Sequence, residues 1–201
     1  MSDIAVNQKL TVGGTIKDGI VIGSKNIGAI LVNVLLWILT LWIPYINAGT
    51  TIGLWVGIVS KASRGEIIPM TEIFDRKYRK YIGEFFLTVG LLILGIGVSL
   101  VFFVIPGYVI AIAWSLAPLL AVDKGKNPSE AITASNNCTH GYKGKMFLIY
   151  LLVCLAFAIV SFVLSLIPGI GFVLVVVAAV FMLFVIIGLQ ASIYRQLTEG
   201  I

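Results

Sequence analysis

Long apolar runs alternate with short polar ones along this chain. Residues 26–60, 85–122 and 146–194 carry no formal charge, and each run contains one Ile-Pro pair, at Ile43-Pro44, Ile105-Pro106 and Ile167-Pro168. Proline lacks a backbone donor and pushes its predecessor out of helical geometry, so a helix reaching such a pair tends to stop there. Small or turn-forming residues follow each pair: Asn47-Ala48-Gly49, Gly107-Tyr108, and Gly169-Ile170-Gly171. A bilayer core takes roughly 20 apolar residues per helix, so each run has room for two helices joined at its proline. The pattern predicts six transmembrane helices in three hairpins tipped by Pro44, Pro106 and Pro168.

The polar stretches predict short surface helices before each hairpin. Thr15 and Asp18 have the spacing of a capping box, and Ile16, Ile20 and Ile27 fall roughly on one helical stripe. The return segment at 49–60 is short for a crossing and relies on Lys61 and Arg64 to snorkel. Residues 69–81 place Phe74, Tyr78 and Tyr81 on one face with basic residues around the other, an interfacial pattern. Pro118 predicts a kink in the returning helix of the second hairpin. Asn127-Pro128-Ser129-Glu130 has a cap, a first-turn proline and an acid facing the helix dipole. The same order of elements thus recurs in units at about 9–68, 69–126 and 127–201 of one membrane domain spanning 1–201. The prolines are 62 positions apart both times (106 − 44 and 168 − 106). Distances from the last basic residue to the tip differ between units, so the order of elements argues for triplication more firmly than the spacing.

Composition fixes the class. Of 201 residues, 59% are hydrophobic and 11% charged, with mean hydropathy +1.07. Ordinary soluble domains carry about 25% charged residues, so this is an all-α integral membrane protein. The net charge of +5 suggests nucleic acid in a soluble protein, but its distribution gives topology instead. Lys9, Lys17, Lys25, Lys61, Arg64, Arg76, Lys77, Arg79, Lys80, Lys124, Lys126, Lys143, Lys145 and Arg195 all fall between or outside the apolar runs. Under the positive-inside rule both termini and the surface helices face the cytoplasm, and the proline tips face outward. The first 25 residues lack the pattern of a cleaved secretory signal, so the first apolar helix is expected to direct insertion into the cytoplasmic membrane.

Candidate chemistry is sparse. Gly49, Gly53 and Gly57, and Ala113, Ala117 and Ala121, form small-residue ridges of the kind that let helix backbones approach closely, either within the chain or around an oligomer axis. Glu84 has an ion-pair spacing to Lys80, and Asn33 and Gln190 lie deeper in apolar helices. These three are the candidate polar pathway, with interhelical hydrogen bonding as the alternative role for the two amides. Arg76, Lys77, Arg79, Lys80, Lys143 and Lys145 are the candidate lipid-headgroup contacts, and equally the topology determinants that any positive-inside segment carries. His140 is the sole histidine and Cys138 its nearest thiol, which falls short of the three or four ligands of a zinc site. Cys138 and Cys154 are expected at different depths and unpaired. No phosphate-binding loop, nucleophile elbow or paired-carboxylate arrangement is present, so no catalytic residue, cofactor or metal is expected.

The stretch Ala117-Pro118-Leu119-Leu120-Ala121-Val122-Asp123, with Pro128-Ser129-Glu130-Ala131-Ile132, Ser135 and Gly141-Tyr142-Lys143, resembles the membrane-domain family attached to some glycerophosphodiester phosphodiesterases and related prokaryotic six-helix membrane proteins. The resemblance covers about residues 111–152. In that family hydrolysis belongs to a separate soluble barrel, for which this chain has no room. The resemblance therefore implies a membrane module without its own hydrolase. The sequence reading is a non-enzymatic structural or lipid-associated module of a prokaryotic cytoplasmic membrane, whose partners are membrane lipids, anionic ones included, and a second copy or another membrane protein, but not nucleic acid. A small transporter or channel for a lipid or neutral solute is the runner-up, and an enzyme acting on lipid at the cytoplasmic face comes third.

Overall fold

The computed structural model describes residues 10–198, all of whose regular structure is helical. Lys9 lies outside the described residues. Four stretches are long and apolar enough to cross a membrane: Arg76–Phe102, Val104–Asp123, Lys143–Ser165 and Gly171–Thr198. A fifth is counted if α1 (Val12–Lys25) and α2 (Ile27–Thr40), bent by 70° at Asn26, are taken as one span. The sequence pattern gave room for six. The shortfall lies in the first unit, where α2 has only 14 residues, about 21 Å at 1.5 Å per residue.

α1 is packed on one side and exposed at Ile20 and Val21 on the other. Thr11, not Thr15, occupies its N-cap position, and Thr15 is buried with its hydroxyl donating to Gln196 Oε1 at 3.3 Å. The helix runs antiparallel along the C-terminal half of α10 (Gly171–Thr198). Ser192 donates to Asp18 at 2.7 Å, and Arg195 pairs with the same carboxylate at 2.5 Å. Gly19 and Gly23 make the close approach: a Cβ on Gly19 would sit 2.9 Å from the backbone of Leu189, and one on Gly188 would overlap the Gly19 carbonyl. This is small-residue packing at four-residue spacing.

Pro44 opens α3 (Pro44–Ile52), which continues through a π-helical turn (Gly53–Gly57) into α4 (Ile58–Arg64). Gly65, at φ +70°, ends α4 in the left-handed conformation that glycine adopts without steric cost. Two 3-10 turns, Glu72–Phe74 and Arg76–Tyr81, lead into α5 (Ile82–Phe102). The chain breaks at extended Phe103, three residues before the expected tip. Pro106 instead sits in the first turn of α6 (Val104–Trp114), where its missing N–H has no helical partner to lose. Pro118 likewise falls in the first turn of α7 (Ala117–Asp123), and the helix is interrupted there by a turn at Ser115 and Leu116 within the one stretch Val104–Asp123. α8 (Pro128–Thr139) carries the full capping box, with Glu130 N–H donating to Asn127 Oδ1 at 2.9 Å and Asn127 N–H to Glu130 Oε2 at 3.4 Å. α9 (Lys143–Ser165) and α10 are joined through Pro168 and Gly169, the latter at φ +82°.

The core gathers at the basic end of the molecule. Leu10, Ile30, Ile58, Ile73, Leu116, Leu120, Met146, Ile149, Leu189 and Ile193 are fully buried there. At the other end Val101, Phe103, Ile105, Ile170 and Phe172 are exposed. α5 packs chiefly on α6 and α9 on α10, so two apolar hairpins project from a packed base. In water such apolar surface marks an interaction face; on helices of this length it is the face presented to lipid. The first proline turn does not share that far end. Tyr45, next to Pro44, has its ring 6.0 Å from the Arg79 guanidinium, and Gly49 leaves room for the Arg79 side chain. Pro44 thus lies beside the basic segment, contrary to the expectation that all three tips occupy the opposite face.

Candidate functional site

The base of the molecule is organised by the connection between α4 and α5. Asn33, buried in α2, takes hold of it: the Asn33 amide donates to the Pro69 carbonyl at 2.9 Å, and Ile73 N–H donates to Asn33 Oδ1 at 3.1 Å. The second Asn33 amide hydrogen goes to Ala29 within α2, at 2.8 Å. Asn33 is therefore spent on holding a loop, with both amide hydrogens donated and its oxygen already accepting.

The glycine ridge receives the same connection. A Cβ on Gly53 would come within 2.6 Å of the Ile73 Cα, and one on Gly57 would collide with the Tyr78 hydroxyl. The ridge packs a loop rather than another membrane helix. Under it Glu72 is 3% exposed and accepts from Lys61 at 2.7 Å, from Lys77 at 3.2 Å and from the Tyr78 hydroxyl. A buried carboxylate is tolerable when paired and hydrogen-bonded in this way. Sequence reasoning missed Glu72. Its only signal was its position, one of three acids with Glu66 and Asp75, eleven residues after Lys61 and five before Lys77.

Of the candidate headgroup contacts, Arg76, Lys77, Arg79 and Lys80 are all exposed. Lys77 is also tied inward to Glu72 and to Asp75 at 3.0 Å. Asp75 caps the second 3-10 turn, and the Lys77 backbone N–H it accepts holds its carboxyl below the usual carboxylate range. Arg79 and Lys80 lie over the rings of Tyr45 and Tyr81. Arg76 has no ion pair among the described residues. Lys143 and Lys145 are half-buried and partly committed, donating to Asn136 at 2.9 Å and to the Leu10 carbonyl at 3.1 Å.

Glu84 is exposed and forms no ion pair with Lys80. Gln190 alone of the three pathway candidates lines a cavity. This space, about 710 Å³, lies between the hairpins and the first unit, walled by Trp37, Trp55, Phe85, Phe157 and Met182. Trp37 donates to Thr51 at 3.0 Å, and Tyr150 donates to Gln190 Oε1 at 2.9 Å. The three polar residues therefore do not line one route.

Ala113, Ala117 and Ala121 are buried. They sit on two helices, because the chain breaks between α6 and α7. Ser135 spans that break, donating to the Ala113 carbonyl at 2.7 Å and accepting from Leu116 N–H at 3.2 Å. Thr139 adds a donation to the same carbonyl at 3.3 Å. Asp123 joins Arg64 at 2.8 Å and accepts from Tyr194 at 2.8 Å. Gly141 adopts φ +81° in the turn before α9. The residues that carry the family resemblance are thus joints of the base. Burial pushes the Cys138 thiol up, away from thiolate chemistry, and Cys154 is exposed on α9. Among the described residues no group of three or more His, Cys, Asp or Glu is arranged to hold a metal. No protein-family model, curated protein or solved structure matches this chain.

Proposed function

We propose that this chain is a non-enzymatic module of a prokaryotic cytoplasmic membrane that associates with lipid, anionic lipid included, and has both termini in the cytoplasm. The observation that carries the reading is the fixed presentation of Arg76, Arg79 and Lys80 at the foot of α5. Asn33 and Glu72 clamp the preceding turn, so these cations stand outward where an apolar helix begins. Each basic residue close to an anionic leaflet contributes about 1 kcal/mol. In this reading α5 to α7 and α9 to α10 cross as hairpins while α1 to α4 stay with the basic face, an even number of crossings. The resemblance to the phosphodiesterase-associated membrane domain belongs to the same proposal.

The test is the lipid that co-purifies from native membranes, identified by mass spectrometry. Replacing Arg76, Lys77, Arg79 and Lys80 by glutamine is expected to lower the retained anionic lipid, more so at low salt. Retention unchanged by the fourfold replacement overturns the reading and leaves those residues as topology determinants. A second reading, a small transporter for a lipid or neutral solute, draws its support from the cavity beside Gln190.

A further inference from the structure

Few polar groups line the cavity between the hairpins, and two of them keep donors without a hydrogen bond among the described residues: the indole of Trp55, a residue 58% exposed, and the amide of Gln190. The Trp37 indole is paired with Thr51, and the Ser115 hydroxyl donates to the Ile112 carbonyl at 2.9 Å. Gln190 differs. Its Oε1 accepts from Tyr150, but no acceptor among the described residues takes its Nε2 hydrogens. The Gln190 Nε2 is not sealed off in the empty cavity, but an occupant that covers it without supplying an acceptor leaves a buried unpaired donor at a cost of about 1–3 kcal/mol, so the cavity favours an occupant that brings an acceptor. The walls admit little else that is polar, and the volume of about 710 Å³ falls in the range of roughly 300–1,000 Å³ usual for small-molecule sites.

Depth narrows the occupant. From Gly171 to Gln190 is 19 residues of α10 (190 − 171), about 28 Å at 1.5 Å per residue. A hydrocarbon core is about 30 Å thick, which puts Gln190 at its boundary when the Gly171 end lies at the other. Tyr150 beside it suits the aromatic belt at that depth. The ester carbonyls of glycerolipids lie at this boundary, with their chains running inward. Trp55 and Phe86, on the cavity wall, are exposed and open it sideways to the bilayer.

We propose that this cavity holds one acyl chain of a membrane glycerolipid, whose ester carbonyl accepts from Gln190 Nε2. The inference rests on the lipid-associated reading but not on its basic contacts, since chain and ester are recognised whatever the headgroup.

The test uses the full chain in detergent with a phosphatidylcholine that carries a diazirine in one acyl chain, its adducts mapped by mass spectrometry. Adducts are expected at Phe85 and Val89, which line this cavity, and not at Leu87 and Leu94, which are exposed on the same helix outside it. Unlabelled ester-linked phosphatidylcholine is expected to compete several-fold, up to about tenfold, better than its ether-linked analogue, which lacks the carbonyl. Gln190→Leu is expected to abolish that preference, whereas Tyr150→Phe, which keeps the amide, retains it. Ala179→Trp, which fills the cavity, is expected to remove the Phe85 and Val89 adducts. Adducts spread evenly over lipid-facing positions overturn the site. Equal competition by ester and ether lipids in the wild-type chain overturns the role of Gln190 without any variant having to fold. Displacement by a short-chain quinone at lower concentration than the ester lipid overturns the assignment to glycerolipid. If the fourfold basic replacement loses anionic lipid while these adducts are absent, the surface reading stands and this one fails; the converse separates them equally.

Discussion

The phenol of Tyr78 occupies the space a side chain on Gly57 would need, and its hydroxyl donates to the buried Glu72 carboxylate. A missing side chain in one element thereby permits a charged group to be buried in another. The π-helical turn at Gly53–Gly57 widens the helix where this happens, as π turns often do beside specialised sites.

Replacing Gly57 by valine should therefore displace Tyr78 from Glu72. Overpacking an interior costs about 1–3 kcal/mol, and loosening the Glu72 cluster adds to it. Gly97, on exposed α5 with open space around it, is the control. Gly97→Ala should be neutral or slightly stabilising, since alanine is the better helix former by about 1 kcal/mol. Thermal unfolding in detergent checks the pair, and equal midpoints would show that the ridge bears no load.

The place of the first turn gives a second prediction. In a background with Cys138 and Cys154 replaced by serine, Tyr45→Cys should react with an impermeant thiol reagent from the same side as Lys80→Cys. Both positions are exposed, and Tyr45 lies next to Arg79. Ile170→Cys, at the far end of the second long hairpin, should differ from both. Reaction of Tyr45→Cys from the Ile170 side would restore the expectation that the first hairpin crosses.

These two cases mark what was legible in the sequence. Uncharged runs and their lengths announced a helical membrane protein, because burial in lipid demands apolar length and backbone satisfaction along each helix. The Asn127 cap and the first-turn Pro128 were readable because their interactions are local, whereas the capping-box spacing of Thr15 and Asp18 was overridden when both side chains turned to α10. The partners of the glycine ridge were not, because small-residue spacing says that something approaches closely without saying what. The Gly19, Gly23 and Gly188 contact carries the same signal and the same silence about its partner, which lies more than 160 residues away along the chain. Asn33 and Gln190 looked alike in sequence, each an amide in an apolar helix. Only the fold distinguishes them: Asn33 is saturated by the Pro69 to Ile73 loop, whereas Gln190 keeps a donor for the cavity. Glu72 was invisible because burial of a charge depends on Lys61, Lys77 and Tyr78 converging from separate turns.

A third prediction concerns acid. Asp75 has its carboxyl held below the usual range, first by the Lys77 backbone N–H and then by the Lys77 side chain. A depressed folded-state value means that the stabilisation is fully present above the unfolded aspartate value, about 3.9, and is lost as pH falls through the lower folded value. The side chain is 40% exposed, so the effect should be small. Asp75→Asn should destabilise slightly at neutral pH and flatten the acid limb of the stability profile below about pH 4. A variant whose acid limb matches the wild type would remove Asp75 from the account.

The last prediction separates the lipid-associated module from the transporter. A conducting path needs polar groups that succeed one another across the membrane, or charged groups facing a water-filled cavity. Here Asn33 is consumed by the loop it holds, Glu84 lies exposed at the start of α5, and Gln190 faces a cavity whose walls are almost wholly apolar. The far halves of the two hairpins add exposed apolar side chains rather than a lined channel. Vesicles containing the wild-type protein should therefore show no ion conductance and no uptake of neutral solute above protein-free vesicles, under either sign of membrane potential. Glu84→Gln and Asn33→Ala should leave that baseline unchanged, with Asn33→Ala lowering thermal stability by about 1–3 kcal/mol because the Ile73 N–H loses its buried acceptor. Reproducible flux that falls on substituting Glu84 or Gln190, in protein that remains folded, would sink the module reading and promote the transporter.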